Sequence, residues 1–202
     1  MSCGIGTQCL GLAAQGFKVT ASDLSPQSIV RAKREAASRQ LDILFSVCDM
    51  RQIKAHHPSG FDVVISADNS IPHLLNDEEI LETLKGMYSR LRPGGGCIIT
   101  VRDYKQAERG RGIVKPYGIR EVDGNRYLIW QVWDFEGDQY ALSMYFVEDN
   151  LQDSTGKTHI MRSRYYAIST DSILALMGEA GFGELERLDG VFFQPVLVGR
   201  KL

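Results

Sequence analysis

The chain has 202 residues, of which 44% are hydrophobic and 24% are charged, and its formal net charge is −2. This length and composition are typical of one globular domain, or of a domain with a large insertion. The nearly balanced charge does not favour nucleic acid as a partner. The sequence has neither an apolar run of about 18 residues, which a membrane span requires, nor a signal-peptide pattern. We therefore expect a cytoplasmic protein without a membrane or nucleic-acid partner.

The first part of the sequence alternates between helical and strand patterns. This alternation predicts a doubly wound α/β fold with a mostly parallel sheet. The strand expected at 61–68 is apolar in its middle, which is typical of a strand buried on both faces of a parallel sheet. The predicted elements are a helix over 10–15 that ends at Gly16, a strand over 17–23, a helix over 25–40, strands over 42–49 and 61–68, a helix over 76–91 and a strand over 97–101.

Local signals mark the ends and the exposed faces of two of these helices. Ser25 is a natural N-cap, and Pro26 suits the first helical position. Asn76, followed three residues later by Glu79, predicts a capping box at the start of the other helix. Glu35 and Arg39 lie one helical turn apart and are expected to pair.

The pattern changes after Tyr104. Residues 105–118 are polar and rich in glycine, which predicts a loop. Three strand-like runs joined by short links follow and predict an antiparallel meander or hairpin pair. Beyond them, Thr170 is expected to cap a helix that stops at Gly181. The three runs cover 125–135, 139–149 and 158–168, with a turn over 150–157 before the last, and two further strands are predicted over 183–194 and 195–202.

The strands after Tyr104 carry many aromatic side chains. An aromatic cluster can shield a pocket and attract a sulfonium or ammonium cation through its ring faces. Alternate aromatics on antiparallel strands are also typical of the packed face of a sheet, so both interpretations stay open. The residues are Tyr117, Tyr127, Trp130, Trp133, Tyr140, Tyr145, Tyr165 and Tyr166.

The four cysteines lie beside predicted strands or helices. They form no C-x-x-C pair, so the sequence predicts no metal site. We expect buried, reduced thiols. The residues are Cys3, Cys9, Cys48 and Cys97.

A glycine turn opens the chain, in the stretch CGIGTQC. Gly4 and Gly6 match the first two glycines of the G-x-G-x-x-G fingerprint, but Cys9 stands at the third position. An ordinary strand–helix turn with two glycines would also fit this pattern. Asp23 closes the strand at 17–23, where a carboxylate can accept two hydrogen bonds from a ribose diol. The two features together indicate an adenosine-containing ligand without identifying it.

An ordered set of five motifs identifies a resemblance. The stretches SCGIGT, ASDLS, CDMR, FDVVISADNSIPHL and LRPGGGCIITVRDY come in the order and at the separations of the class I S-adenosylmethionine-dependent methyltransferases. The resemblance covers essentially the whole chain. It implies a Rossmann-like methyltransferase fold that binds S-adenosylmethionine and transfers its methyl group to a small molecule.

The resemblance also implies roles for individual residues. Gly4 and Gly6 would let the backbone approach the methionine part of the cofactor, and Asp23 would hold the ribose hydroxyls. Residues 1–104 and 166–202 would form the cofactor-binding core, and the strands inserted over 105–165 would cap the substrate. The remaining cofactor-side candidates are Leu24 on the adenine, Asp49 and Met50 at its edge and face, and Ala67, Ser70 and His73.

Two stretches, NSIPHL and VRDY, look like the glycine and sarcosine N-methyltransferase branch of this family. In that branch the matching Asn and Arg hold the substrate amino acid, so Asn69 and Arg102 are implied substrate-site residues. Tyr104 joins them as a catalytic candidate. The methyl acceptor would then be the nitrogen of an amino acid or amine such as glycine or sarcosine.

Several alternatives stay open at this point. Arg102 could instead form a surface ion pair with Asp103, and His73 could be a helix-entry residue. If a general base assists an amine, Asp68, His73 and Tyr104 are all candidates. An NAD-type oxidoreductase and a methyltransferase-like binding module without turnover are the competing functions, and the sequence does not decide whether the chain forms a homo-oligomer.

The glycine turn lacks the strand that normally feeds it. In the resembling family an apolar strand ends in an acid two residues before the position of Ser2, which would fall just ahead of Met1. We therefore expect that the chain is a fragment or starts late, and that its sheet lacks the first strand.

Overall fold

The structure, a computed structural model, describes residues 1–105, 107–153 and 155–202. Gln106 of the predicted loop and Ser154 of the predicted turn over 150–157 lie outside the described residues. The chain forms two compact units. The first unit comprises Met1–Asp103 and Ser169–Leu202, and the second unit comprises Tyr104–Ile168.

The first unit alternates helices with strands, as the sequence predicts. Short 3-10 turns at Met50–Gln52 and Ile71–His73 follow the ends of two strands. The helices are α1 (Thr7–Ala14), α2 (Pro26–Ser38), α3 (Ile53–His56), α4 (Asp77–Arg90) and α5 (Thr170–Glu179). The strands are β1 (Val19–Asp23), β2 (Ile43–Val47), β3 (Phe61–Ser66), β4 (Leu91–Thr100), β9 (Gly183–Leu188) and β10 (Val196–Arg200).

The strands of the first unit form two sheets rather than one. β1 and β2 are a parallel pair, and β3, β4, β10 and β9 follow one another in a four-stranded mixed sheet. Within the mixed sheet β3 runs parallel to β4, whereas β10 is antiparallel to both β4 and β9. In the part of the chain that the structure describes, no strand precedes α1 and no ladder joins β1 to β3.

The first three residues contact both of these separate sheets. The Met1 amino nitrogen donates to the Ile65 carbonyl of β3 at 2.8 Å. The Cys3 N–H donates to the Ser22 carbonyl of β1 at 3.0 Å. These two hydrogen bonds hold the start of the glycine turn against the C-terminal ends of β1 and β3.

Strand β3 is less buried than its apolar pattern predicts. Val64 and Ser66 are buried, but Val63 on the opposite face is 45% exposed. An open groove with a volume of about 370 Å³ lies there, lined by Val63, Ile98 and Val198 among others. The expectation of burial on both faces was therefore wrong, because α4 packs against β3 and β4 while the face that carries Val63 is open.

The capping signals of α2 and α4 act largely as predicted. The Ser25 hydroxyl accepts from the Ser28 N–H at 3.2 Å, and Pro26 is the first helical residue. The Asn76 side chain accepts from the Glu79 N–H at 2.8 Å. The returning bond differs from a capping box, because the Glu79 carboxylate accepts from the N–H of Leu75, one residue before the cap.

Two other helix starts were misplaced. α1 begins at Thr7 instead of Leu10, since the left-handed Gly6 already serves as its N-cap. The N-cap of α5 is Ser169, whose hydroxyl accepts from the Ser172 N–H at 3.0 Å, so Thr170 is the first helical residue and not the cap. The predicted pair of Glu35 with Arg39 is present on the exposed face of α2, at 3.6 Å.

The second unit is a four-stranded antiparallel meander. Its strands are β5 (Ile113–Val122), β6 (Asn125–Glu136), β7 (Gln139–Asn150) and β8 (Gly156–Tyr166), paired in that order. The sequence predicted three of them and assigned most of β5 to a loop. That prediction was wrong, because Pro116 and Gly118 flank a register shift that still lets β5 pair with β6 along its length.

Many aromatic residues of this meander pack against one another. Tyr140 stacks on Phe135 and Tyr165, with ring centroids 4.9 and 5.2 Å apart, and lies 4.8 Å from Trp133. Trp133 and Tyr140 are almost completely buried. These contacts support the packing interpretation for the central aromatics, which form a core within the second unit.

Candidate functional site

The glycine turn is built around the carboxylate of Asp23. The Gly4 N–H donates to Asp23 Oδ2 at 2.8 Å, and the Ser25 N–H donates to Oδ1 at 2.9 Å. Each oxygen thus receives one backbone donor, although a carboxylate oxygen has two acceptor sites. The second site on each oxygen suits a pair of vicinal hydroxyls, which is the shape of a ribose diol.

The backbone of the turn requires glycine. Gly4 has φ of +54° and Gly6 has φ of +101°, both in the left-handed region. A Cβ on Gly6 would lie 3.1 Å from Leu10 and 3.3 Å from Ala32, whereas one on Gly4 would meet nothing within 4 Å. Gly6 therefore permits the packing of α1, while Gly4 leaves open space beside Asp23. No side chain among the described residues caps the start of α1, so its first N–H groups suit an anionic ligand.

Asp49, the second carboxylate of the candidate site, caps the 3-10 turn at Met50–Gln52. Asp49 accepts from the Arg51 backbone N–H at 2.9 Å and from the Arg51 guanidinium at 2.6 to 3.2 Å. The hydrogen bond from Arg51 lowers the pKa of Asp49 and raises that of Arg51. Arg51 also reaches Glu79 at 2.7 Å. The sequence predicted no role for Arg51, although it stands in the CDMR motif. The contact of its guanidinium with both oxygens of Asp49 is therefore a site feature that the sequence prediction missed.

Apolar surface accompanies these carboxylates. Leu24, directly after Asp23, is 68% exposed, which leaves its side chain available to pack against a flat ring. Met50 lies half-buried next to Asp49. The Cys48 N–H donates to the Asp23 carbonyl at 3.0 Å, so the ends of β1 and β2 are aligned and carry both carboxylates at one edge of the sheet.

The segment after β3 holds two residues in an unusual conformation. Asp68 and Asn69 have φ of +59° and +60°, which side chains other than glycine rarely adopt. Both are tied to β4, since the Asp68 N–H donates to the Thr100 hydroxyl at 2.8 Å and the Asn69 N–H donates to the Thr100 carbonyl at 3.0 Å. Strained backbone of this kind is concentrated at functional sites.

Asn69 and Arg102 lie next to each other in the first unit. The Asn69 side-chain oxygen accepts from the Arg102 backbone N–H at 3.0 Å. Asn69 is 9% exposed, and the Arg102 residue is half-buried. Asp103, the alternative partner for Arg102, pairs with Arg187 at 2.9 Å.

The other candidates after β3 lie in the same turn. The Ser70 hydroxyl donates to the Ala67 carbonyl at 2.7 Å, which closes the turn. His73 ends the 3-10 turn, and desolvation lowers its pKa, while the charge of Asp23 acts in the opposite direction.

Tyr104 belongs to the second unit. It is 1% exposed, and its hydroxyl forms a hydrogen bond of 2.9 Å with the hydroxyl of Tyr140. Its catalytic role stays a prediction.

The described residues contain no cluster of three His, Cys, Asp or Glu side chains arranged to hold a metal ion. Within the same residues, no helix has both the length and the apolar character needed to cross a membrane.

A glycine turn at a helix start, facing an acid at the end of the next strand, defines a Rossmann-like adenosine-binding unit. Comparisons with known proteins agree with this class and narrow it. A family profile for a methyltransferase domain matches residues 1–95. The chain is 32% identical over 190 residues to a putative methyltransferase of Geobacillus sp. (strain WCH70), covering 92% of this chain and 73% of that protein. The chain belongs to the S-adenosylmethionine-dependent methyltransferase family, as the resemblance implied.

Other relatives are matched over a smaller part of their length. A glycine/sarcosine N-methyltransferase of Aphanothece halophytica is 37% identical over 102 residues, which are 50% of this chain and 38% of that protein. Across three of the curated relatives, this chain spans 38% to 65% of their length.

A solved structure agrees with the fold. CalS10, an amino pentose methyltransferase from Micromonospora echinaspora solved with S-adenosylmethionine bound, matches with a TM-score of 0.83 at 17% identity. The match covers 100% of this chain and 81% of that one. It shows that the Rossmann-like methyltransferase fold predicted from the sequence is correct.

Proposed function

We propose that this protein transfers the methyl group of S-adenosylmethionine to the nitrogen of a small amino acid or amine, such as glycine or sarcosine. The observation that carries the cofactor part is the Asp23 carboxylate, held by the Gly4 and Ser25 N–H groups with acceptor sites left for two hydroxyls. The acceptor part rests on the Asn69–Arg102 contact and on the likeness to glycine/sarcosine N-methyltransferases.

The residues of the first unit fit the parts of this cofactor. Asp23 would hold the ribose, Leu24 would cover the adenine, and Asp49 with Met50 would line its edge and face. Gly4 leaves space for the methionine part, whose carboxylate is favoured by the start of α1. Ala67, Ser70 and His73 would complete the wall after β3.

Methyl transfer from a sulfonium requires no nucleophilic side chain from the protein. S-adenosylmethionine, when bound, supplies an activated methyl group. The Arg102 guanidinium would grip the acceptor carboxylate as a fork, and Asn69 would fix the backbone from which Arg102 projects. Positioning of this kind recovers roughly 7–11 kcal/mol of a barrier in well-oriented reactions. Desolvation lowers the pKa of His73, which favours its neutral ring but also makes that ring a weaker base, so Asp68, His73 and Tyr104 all stay candidates for a general base.

Calorimetry with S-adenosylmethionine tests the cofactor assignment. Asp23→Asn keeps the shape of the side chain but removes its charge and replaces one acceptor oxygen by an NH2 donor, so one of the two backbone N–H groups loses its acceptor. We expect the Kd to rise by roughly 30-fold or more. Asp62→Asn is the matched control, since Asp62 is exposed and pairs with Arg92 at the surface.

Equal affinity of the wild type and Asp23→Asn would remove the ribose assignment. Failure of the wild type to bind S-adenosylmethionine or S-adenosylhomocysteine would contradict the proposed function as a whole, and tight binding of NADH would favour the oxidoreductase instead. A labelled-methyl assay against amino acids, amines and phenols separates an active enzyme from a binding module.

The acceptor assignment is tested separately by steady-state kinetics. Arg102→Ala removes the fork for the acceptor carboxylate, so the KM for glycine or sarcosine should rise by roughly 30-fold or more while the cofactor Kd is unchanged. Arg92→Ala changes an exposed arginine of the same unit and serves as the control. An unchanged acceptor KM in Arg102→Ala would show that Arg102 does not bind the acceptor.

A further inference from the structure

The loop that joins β9 to β10, residues 189–195, exposes three apolar side chains in succession. Val191 is 66% exposed, Phe192 45% and Phe193 72%. The two phenylalanine rings lie against each other, with their centroids 4.5 Å apart. A run of exposed apolar side chains is unfavourable in water, and such patches are typical of surfaces that bind a ligand or a partner.

The end of this loop is bonded to the strand that leads into the candidate acceptor site. The Thr100 hydroxyl donates to the Gln194 side-chain oxygen at 3.3 Å, and the Val101 N–H donates to the Pro195 carbonyl at 3.2 Å. Thr100 and Gln194 are each 7% exposed, so their contact is buried. The Thr100 carbonyl also accepts from the Asn69 N–H. Thr100 therefore connects the loop directly to the turn that carries Asn69.

The start of the loop is linked to the residue that follows Arg102. Arg187, near the end of β9, contacts Asp189 at 3.0 Å and Asp103 at 2.9 Å. Each exposed apolar residue of the loop is at most two residues from one of its bonded ends, which is a Cα separation of at most about 8 Å. β10 begins opposite the last residue of β4, so the loop lies at the carboxyl end of that strand, where ligands bind in open α/β sheets. The apolar side chains are therefore confined to the surroundings of Arg102.

We propose that Val191, Phe192 and Phe193 form an apolar part of the methyl-acceptor site, so that the preferred acceptor is an amino acid with an apolar side chain. This inference rests on the proposed function and specifies its acceptor. The Arg102 guanidinium would bind the acceptor carboxylate, and the loop would cover the apolar side chain. Glycine and sarcosine have no such side chain, so they leave the apolar surface of the loop in water. Leucine or phenylalanine would bury apolar surface on both the loop and the acceptor.

A panel of acceptors tests this preference on the wild-type chain. Methyl transfer from labelled S-adenosylmethionine is measured with glycine, alanine, leucine and phenylalanine. We expect kcat/KM for leucine and phenylalanine to exceed that for glycine by roughly tenfold or more, because added methylene groups strengthen binding to an apolar pocket. An equal or higher kcat/KM for glycine would overturn this inference alone. If no acceptor is methylated, the inference and the proposed acceptor class are both wrong, while calorimetry still decides the cofactor.

Two variants of the loop test whether its side chains cause the preference. The double variant Phe192→Ser/Phe193→Ser should lower the leucine-to-glycine ratio of kcat/KM by roughly tenfold, whereas Phe193→Leu keeps an apolar side chain and should retain most of that ratio. Both acceptors are measured on one sample, so the fraction of folded protein cancels in the ratio. Phe17→Ser is the matched control and should leave the ratio unchanged, because Phe17 is 60% exposed and precedes the start of β1, at the other end of that strand from Asp23. An unchanged ratio in the double variant would overturn the inference.

Discussion

The backbone at Asp68 and Asn69 shows how single residues store strain at the candidate site. Consecutive left-handed residues other than glycine cost roughly 1–2 kcal/mol each. They persist because Thr100 accepts from both N–H groups and because Asn69 in turn accepts from the Arg102 N–H. The hydrogen bonds that hold this strained backbone therefore also fix the start of the segment that carries Arg102.

Two substitutions at Asn69 separate this strain from the hydrogen bond. Asn69→Ala and Asn69→Gly both remove the acceptor for the Arg102 N–H, but only glycine adopts the left-handed backbone without steric cost. We expect Asn69→Ala to lower the free energy of unfolding by about 2–3 kcal/mol, and Asn69→Gly by about 1 kcal/mol less. Far-ultraviolet circular dichroism in urea measures both variants, because the helices of the described residues all lie in the first unit. Equal losses would show that the backbone is not strained.

Helix α4 connects the candidate site to the body of the first unit. Its buried face includes Ile80, Leu84 and Met87, which are fully buried. Its start carries the Asn76 cap and the Glu79 carboxylate that receives Arg51. The element that supports β3 and β4 thus also supports the residue that holds Asp49.

Removal of the cap tests how much α4 depends on its first turn. Asn76→Ala leaves the Glu79 N–H without its side-chain acceptor, so we expect a loss of about 1 kcal/mol in the free energy of unfolding. Asn76→Asp keeps an acceptor oxygen at the same place and adds a charge favoured at a helix start, so its stability should match or exceed that of the wild type. Thermal unfolding followed by circular dichroism gives the comparison, and an unaffected Asn76→Ala protein would contradict the role of the cap.

The stability of the first unit as a whole should depend on pH through His57, which is buried, and through His73, which is exposed. Desolvation lowers the pKa of both rings below the usual histidine value. The His57 ring shares a hydrogen bond of 3.0 Å with the Ser22 hydroxyl. A group with a lowered pKa in the folded state takes up its proton more readily when unfolded, so stability falls as the pH drops below about 6.5.

Urea unfolding between about pH 7.5 and 5.5 checks this direction. The midpoint should be steady above about pH 7 and should fall toward pH 5.5. His57→Gln keeps a hydrogen-bonding side chain without a titrating ring, so the fall should be shallower. His56→Gln changes the neighbouring exposed histidine and should leave the profile close to that of the wild type. A flat wild-type profile would show that His57 and His73 do not control stability in this range.

The sequence by itself determined the features that short stretches encode. Serine and asparagine caps, the alternation of apolar patterns and the order of the glycine turn, Asp23 and the motif after β4 were sufficient to predict the fold, the family and its cofactor. These signals are local, because a cap bonds within three residues and a glycine is favoured wherever φ is positive. Even so, one local signal was missed, since the Asp123–Gly124 pair between β5 and β6 is a strong hairpin turn.

Only the tertiary structure decided the features that depend on distant partners. β5 is a strand because its backbone pairs with that of β6. β3 is exposed on one face because, among the residues that the structure describes, an open groove lies over Val63. Arg51 joins Asp49 to Glu79, 28 residues away along the chain. Pairing, burial and side-chain contact are relations between segments, so no reading of either segment alone supplies them.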